Sequence, residues 1–326
     1  MRLALVFFAC ATPALAGVTE AVEDHALPAT SAFAESAAEL AQTAEGDCTP
    51  GALQPAYQDT FDAWLGMSHM TLGPVEEDGR KLAIAFWPDK RGMVASTVSG
   101  LLADEDPIAE DPDAFGDVSV AGRGLFALER LLYGDAAPDY AEGDYACTLA
   151  RAMALDLDRM ADEIAQEWRE DFAGTLLTAG DAGNDTYLSE KEAAQALYTA
   201  LASGLEFVAD QRIGQPLGTF DRPRPERAEA RRSDRPKRNV RLSLEALRAY
   251  ARSLAPGPIP ETEAAFAEAL DSLDALDPVF AGIDDPTGRL KLEVVQQRVR
   301  DIRTVAASEI GVPLGVSAGF NSADGD

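Results

Sequence analysis

Histidine is nearly absent from this chain of 326 residues, and most of the usual catalytic arrangements are absent with it. The two histidines are His25 and His69, and neither stands in an HExxH pattern. There is no GxSxG motif and no glycine-rich phosphate loop, which removes the nucleophile turn of α/β-hydrolases and the phosphate cradle of nucleotide-binding proteins. A zinc site with three protein ligands would have to rest on carboxylates and His69, without any supporting spacing.

Positive charge is also scarce. The chain has 28 Lys and Arg residues against 56 Asp and Glu, which gives a formal net charge of −28 at pH 7. This balance argues against nucleic acid and anionic membrane surfaces as partners, because both are themselves negative. It leaves an unknown small ligand, a cation or another envelope protein as the candidate partner. No stretch after the N-terminus reaches the roughly 18 apolar residues needed for a transmembrane segment.

The first sixteen residues are predicted to be a cleavable signal peptide. Met1-Arg2 is a short charged region, an apolar run follows over 3–11, and Ala14-Leu15-Ala16 forms a small-residue cleavage site before Gly17. We therefore expect a periplasmic protein. A lipoprotein signal at Cys10 is disfavoured because only nine residues would precede that cysteine.

Cysteine is rare, and two cysteines remain after removal of the signal peptide, Cys48 and Cys147. An even pair in an oxidising compartment predicts a disulfide bond. The alternative, a reactive thiolate, lacks a CxxC motif or a neighbouring histidine.

Apolar residues recur every three or four positions along most of the chain, which predicts at least eight helices and an all-α fold of helical bundles. One exception is KLAIAF, where Leu82, Ile84 and Phe86 alternate and favour a short extended segment. Breaks near Gly180 and Phe220 suggest that the domain 17–326 divides into lobes of about 17–180 and 181–326. The predicted helices cover 28–44, 52–70, 94–102, 121–134, 145–172, a segment that opens at Ser189 with a capping box, 240–254, 261–276 and 290–310.

The stretch AGRGLFALERLLYG, 121–134, carries the most informative pattern. On a helical wheel, Glu129 lies inside a continuous apolar arc, and Arg123 and Arg130 lie together on its flank. A helix that packs on a core does not direct a carboxylate inward unless the charge is paired, protonated or used. We expect Glu129 to be buried or to line a cleft, held by Arg91 or Arg232.

A basic segment interrupts the acidic chain between Arg222 and Arg241. It contains nine Lys or Arg residues against three Asp or Glu, and three prolines. The simplest interpretation is a poorly helical loop that pairs with the acidic body, with a ligand-binding role as the alternative.

Five motifs together resemble the imelysin-like family of bacterial periplasmic and envelope proteins. They are DAWLGMSHM, IAFWPDKRG, GLFALERLLYG, RRSDRPKRN and the ending GFNSADGD. The resemblance spans most of the mature chain. It implies an all-helical fold of two bundle-like halves with a site between them. The family includes an insulin-cleaving peptidase and proteins linked to iron uptake.

The family's signature is G-x-H-x-x-E on a helix, proposed to bind metal, and here it reads Gly124-Leu125-Phe126-Ala127-Leu128-Glu129. The histidine is replaced by Phe126, whose phenyl ring can neither ligate a metal nor carry a proton. No resident cofactor is predicted on this ground, and iron enters only through the resemblance.

The candidate binding residues are therefore Glu129 and Phe126 on the signature helix, with Arg91 and Trp87 from the FWPDKRG turn. Arg232 joins them from the basic segment, since the resemblance implies that this loop folds back over the site. His69 is the sixth candidate, although a capping or surface histidine is the simpler interpretation. For Trp64 and Trp87, core packing is the simpler interpretation.

Three function classes remain open. The first is a non-catalytic periplasmic binding or accessory protein, with a link to iron acquisition through the resemblance. The second is a metallopeptidase with a displaced ligand set, and the third is a non-enzymatic envelope interaction module. The missing histidine favours the first.

Overall fold

The computed structural model describes residues 17–134 and 139–317. The predicted signal peptide with Cys10, and the ending GFNSADGD, lie outside the described residues. Within them the protein is all-α, as predicted, and the one β-type pairing is an isolated bridge between Thr219 and Arg222. No helix in the described ranges has the length and apolar character needed to cross a membrane.

Ten helical runs, with short 3₁₀ turns between some of them, build the described part of the fold, and four of the ten contain a π-helical stretch. They are α1 (18–46, π-helical at Ala21–Ala26), α2 (Pro50–Met67), α3 (Arg80–Ile84), α4 (Met93–Asp104), α5 (Gly124–Leu132), α6 (145–177, π-helical at Trp168–Phe172), α7 (190–217, π-helical at Phe207–Ile213), α8 (Pro236–Leu254), α9 (Pro260–Leu273) and α10 (286–314, π-helical at Ala307–Gly311).

The prediction of an extended segment at KLAIAF is wrong, because residues 80–84 form α3. Arg80, Ala83 and Ile84 are buried while Leu82 is 53% exposed. Burial at i, i+3 and i+4 is the helical period. The apparent alternation arose because Leu82 is an apolar residue on the solvent side of a single helical turn.

Helix α1 packs along α6 and α2, and α9 packs along α10, while α8 contacts both α2 and α7. The predicted disulfide is confirmed. Cys48, just after α1, and Cys147, in the first turn of α6, have Cα atoms 5.2 Å apart and close a loop with a sequence separation of 99. Both residues are fully buried. The bond therefore ties α1 to the start of the long helix that it packs against.

Candidate functional site

The start of α5 is pressed against the end of α3, and this contact explains the glycine of the signature. Gly124 has φ +65°, and a Cβ atom there would lie 2.1 Å from the carbonyl oxygen of Ala83 and 2.4 Å from that of Ile84. Any side chain would force the two helices apart. The close approach fixes the FWPDKRG turn, which follows α3, against the face of α5 that carries Phe126 and Glu129.

A cavity of about 220 Å³, here called the Glu129 pocket, lies between that turn, α5 and the segment 226–232. Four of the predicted site residues line it together: Trp87, Phe126, Glu129 and Arg232. Phe126 is buried against Phe61 in an edge-on contact, with ring centroids 5.6 Å apart. The residue that replaces the histidine is thus part of an apolar wall.

Glu129 is 2% exposed, as the helical wheel predicts, but its direct partner differs from the predicted one. Its Oε1 accepts a hydrogen bond of 2.7 Å from the Ser233 hydroxyl and another of 3.1 Å from the Ser233 backbone N–H. Burial raises the pKa of Glu129, while the bonds from Ser233 and the charge of Arg232 act in the opposite direction. The expected arginine ion pair is replaced by a serine clamp because the basic segment presents Ser233, and not a guanidinium, to the carboxylate.

Two arginines anchor the basic segment to α2. Arg235 is fully buried, with its guanidinium carbon 4.4 Å from the centroid of Phe61, and its Nη2 lies 2.5 Å from Asp62 Oδ1. It also donates to the side chain of Gln58, and Arg238 makes a second ion pair with Asp62. The interpretation of this segment as a partner of the acidic body holds for these two residues.

Six residues within 226–232 of the segment line the Glu129 pocket, whose lining is rich in cations. Five of the lining residues are basic: Lys90, Arg130, Arg227, Arg231 and Arg232. Three are acidic: Asp89, Glu129 and Glu226.

Two of the three carboxylates already accept hydrogen bonds from the protein, Glu129 from Ser233 and Asp89 from the start of α4. Burial raises the pKa of Glu129, as described above. Both oxygens of Asp89 accept backbone N–H groups at the start of α4, those of Met93 and Val94 among them. The Glu129 pocket is therefore an electropositive cavity in a strongly acidic chain.

Two of the predicted residues lie elsewhere. Arg91 is exposed and does not line the Glu129 pocket, although its neighbours Lys90 and Gly92 do. His69 is 4% exposed, so the interpretation as a capping or surface residue is wrong. It lines a second cavity together with Trp64 and Trp87, so the two tryptophans serve both as packing and as cavity wall.

His69 has a partner that the sequence pattern did not indicate. Its Nε2 lies 2.9 Å from Nε2 of His25, and both rings lie 5.0 Å from the Tyr250 ring. Burial lowers the pKa of His25 to about 4 and that of His69 well below its usual value. A neutral pair satisfies this geometry, with one Nε2–H donating to the other Nε2.

The donor set at Glu129 does not fit a resident metal ion. Ser233 already occupies one carboxylate oxygen, a phenyl ring stands in the histidine position, and the surrounding side chains are mainly cations. Within residues 17–134 and 139–317, no group of three or more His, Cys, Asp or Glu side chains is arranged to hold a metal. We derive no chemical step through a metal here.

The chain is similar to one curated protein in sequence and to one solved structure in fold. An iron-regulated protein A from Synechococcus elongatus is 24% identical over 185 residues, covering 55% of this chain and 46% of that protein, so the match spans about half the length of the relative. A crystal structure of an imelysin-like protein from Psychrobacter arcticus superposes with a TM-score of 0.78 at 19% identity. It covers 98% of this chain and 100% of the other, and at this identity it shows the fold.

A family model described as Imelysin matches residues 26–306, a range that includes His69, the lining of the Glu129 pocket and the basic segment. The match covers most of the chain, and the all-α fold agrees with it. The chain belongs to the imelysin family.

Proposed function

We propose that this chain is a periplasmic binding or accessory protein of iron acquisition that holds a small anionic ligand in the Glu129 pocket and does not cleave peptides. The observation that carries the proposal is the electropositive lining of that pocket in a chain of net charge −28. A surface that is acidic for solubility alone gives no reason to gather five basic residues around one cavity.

The lining supports an anion in preference to a bare cation. Arg231 Nε is buried and has no hydrogen-bond partner among the described residues. A buried donor without a partner costs free energy, and an anionic ligand would satisfy it. A free cation would instead meet the guanidinium groups of Arg231 and Arg232. A ferric ion fits this pocket when it arrives inside an anionic chelate.

The link to iron rests on the relatives. One relative, 24% identical over 185 residues, is named an iron-regulated protein. Localisation in the periplasm rests on the sequence pattern of residues 1–16, which predicts export.

The absence of peptidase activity rests on the signature position itself. Phe126 offers neither a metal ligand nor a proton-transfer group, and its ring packs into an apolar wall. Purified protein incubated with a peptide library, with and without a chelator, tests this directly. Chelator-sensitive cleavage would establish the metallopeptidase alternative.

Binding is tested by calorimetry on the mature chain, with ferric citrate and citrate as probes. Arg232→Gln removes one exposed charge from the pocket rim, and we expect it to weaken binding about tenfold, the loss of one charge-assisted contact. The matched control is Arg222→Gln, which removes an exposed arginine of the same segment that does not line the pocket. Binding should also weaken with added salt.

Absence of binding by the wild type at millimolar probe, or equal binding by the Arg232 and control variants, would contradict the proposal. Expression that does not respond to iron, in a strain that exports the protein, would favour the envelope interaction module over a role in iron acquisition.

A further inference from the structure

A second cavity, of about 450 Å³, lies on the other side of Trp87 and is larger than the Glu129 pocket. We call it the Arg212 cavity. Three aromatic side chains, Trp64, Trp87 and Phe207, contribute to its walls, and Arg212 and Glu229 also line it. A concave site with apolar walls and a few convergent polar groups is the usual form of a small-molecule site.

Arg212 and Glu229 form a buried ion pair in which only one nitrogen of the guanidinium and one oxygen of the carboxylate make hydrogen bonds to the described residues. Arg212 Nε donates to Glu229 Oε2 at 2.8 Å, and Asn239 Nδ2 donates to the same oxygen at 2.9 Å. The residues are 5% and 4% exposed. Within the described residues, the two Nη groups of Arg212 and Oε1 of Glu229 make no hydrogen bond.

These unused atoms are not sealed inside the protein. Both residues keep a small exposed fraction, 5% for Arg212 and 4% for Glu229, and both line the Arg212 cavity. The charged ends of this ion pair therefore lie at the cavity wall. The Arg212 cavity therefore presents guanidinium N–H donors and one carboxylate oxygen side by side.

The π-helical stretch of α7 explains how Arg212 reaches this position. Phe207 and Arg212 are five residues apart, which in an α-helix would place them about 140° apart around the axis. The wider turn of the Phe207–Ile213 π-helix brings them together, with the guanidinium carbon 4.8 Å from the Phe207 ring centroid. The aromatic wall and the charged pair are thus set next to each other by one local distortion.

We propose that the Arg212 cavity binds a free α-amino acid with an aromatic or large aliphatic side chain. The α-carboxylate would accept from the Nη groups of Arg212, the α-ammonium would donate to Oε1 of Glu229, and the side chain would lie against the tryptophan walls. The site is neutral overall, which matches a zwitterion. The inference does not depend on the ligand proposed for the Glu129 pocket.

A purely structural role explains these observations less well. A buried ion pair contributes little net stability, because desolvation of both charges offsets their attraction. A pair that served packing alone would satisfy its atoms with protein groups, as Arg123 does with both oxygens of Asp156 elsewhere in this chain. The other charged pair at the cavity, Lys81 with Glu76 at 3.5 Å, is partly exposed and already matched.

Calorimetry on the mature chain tests the proposal with L-phenylalanine as the probe. We expect binding of L-phenylalanine, and binding at least about tenfold weaker for N-acetyl-L-phenylalanine, which lacks the ammonium, and for phenethylamine, which lacks the carboxylate. Equal binding of the three compounds, or no binding of L-phenylalanine at millimolar concentration, would overturn the proposal.

Two variants locate the site. Ser203→Trp fills the cavity from an exposed lining position of α7, so it should abolish binding without changing the melting temperature. Ser99→Trp on α4 is the matched control, since Ser99 is also exposed and lines neither cavity. Glu229→Gln removes the carboxylate charge with little change of shape. It should weaken the binding of L-phenylalanine more than the binding of N-acetyl-L-phenylalanine, which has no ammonium group to contact residue 229. Unchanged binding by Ser203→Trp would place the amino acid elsewhere and refute the assignment.

Discussion

The buried histidine pair predicts an unusual dependence of stability on pH. His25 and His69 are the chain's two histidines, their Nε2 atoms are 2.9 Å apart, and both are held neutral in the folded protein. In the unfolded chain each has a pKa near 6.5 and takes up a proton as the pH falls. Since the unfolded state binds more protons, stability is complete above pH 6.5 and is lost as the pH falls towards the folded-state pKa, which is about 4 for His25.

The magnitude follows from these values. With pKa values of about 6.5 unfolded and about 4 folded, the free energy of unfolding loses about 2 kcal/mol between pH 7 and pH 5 from His25 alone. Near pH 5 each neutral histidine contributes a slope of about 1.3 kcal/mol per pH unit. The slope of the wild type should therefore exceed that of the variant His25→Phe by about 1.3 kcal/mol per pH unit, because the variant retains His69 and an aromatic ring beside Tyr250.

Urea denaturation followed by tryptophan fluorescence, at intervals from pH 7 to pH 5, measures both slopes. The carboxylates are the same in the two proteins, so their contributions cancel in the difference between the slopes. Whether a given carboxylate raises or lowers the slope therefore does not affect the comparison. Parallel curves for the wild type and His25→Phe would show that His25 is not held neutral by burial, and the reasoning would fail.

Three further predictions concern the framework of the site, each measured as the free energy of unfolding in urea. Gly124→Ala should cost about 2–4 kcal/mol, because its Cβ would lie 2.1 Å from a carbonyl oxygen. The control Gly66→Ala, where a Cβ would meet no atom within 4 Å, should be neutral or stabilising. Equal effects of the two substitutions would contradict the close approach. Ser233→Ala should cost about 1–3 kcal/mol by removing a donor to buried Glu129, and Ser99→Ala, at an exposed serine, should stay within about 0.5 kcal/mol. Replacing Cys48 and Cys147 together by alanine should cost about 2–5 kcal/mol, and an unchanged unfolding midpoint would mean that the bond does not form in solution.

Local patterns predicted the helices well because apolar residues recur at the helical period on the buried face of each helix. The helical period placed the long helix at 145–172, and the structure has continuous helix over 145–177. The same reasoning failed at KLAIAF because one turn of helix is too short to distinguish from alternation when an apolar residue, Leu82, faces solvent. Composition and the predicted export were sufficient to predict the disulfide, since the two cysteines that follow the predicted signal peptide allow one pairing.

The site was predicted only as far as one helix could describe it. The wheel placed Glu129 inward, but its partner Ser233 is 104 positions away, and the two histidines that form a pair are 44 positions apart. Pairings of this kind depend on how helices pack, which is a property of the whole topology. Of the two arginines proposed for Glu129, Arg232 lines its pocket and acts through charge, while Arg91 does not reach it.

The basic segment 222–241 contributes residues to both cavities. It is the common wall of two cavities: Ala228 and Ala230 line the Glu129 pocket, while Glu229 between them lines the Arg212 cavity. These three residues lie in a bend and a turn, with Ala230 at φ +47°, so that neighbouring positions reach different cavities. Pro223 and Pro225 disfavour a regular helix in the first part of the segment, whereas its last residues, from Pro236, belong to α8. The ion pairs of Arg235 and Arg238 with Asp62 hold the end of this wall against α2.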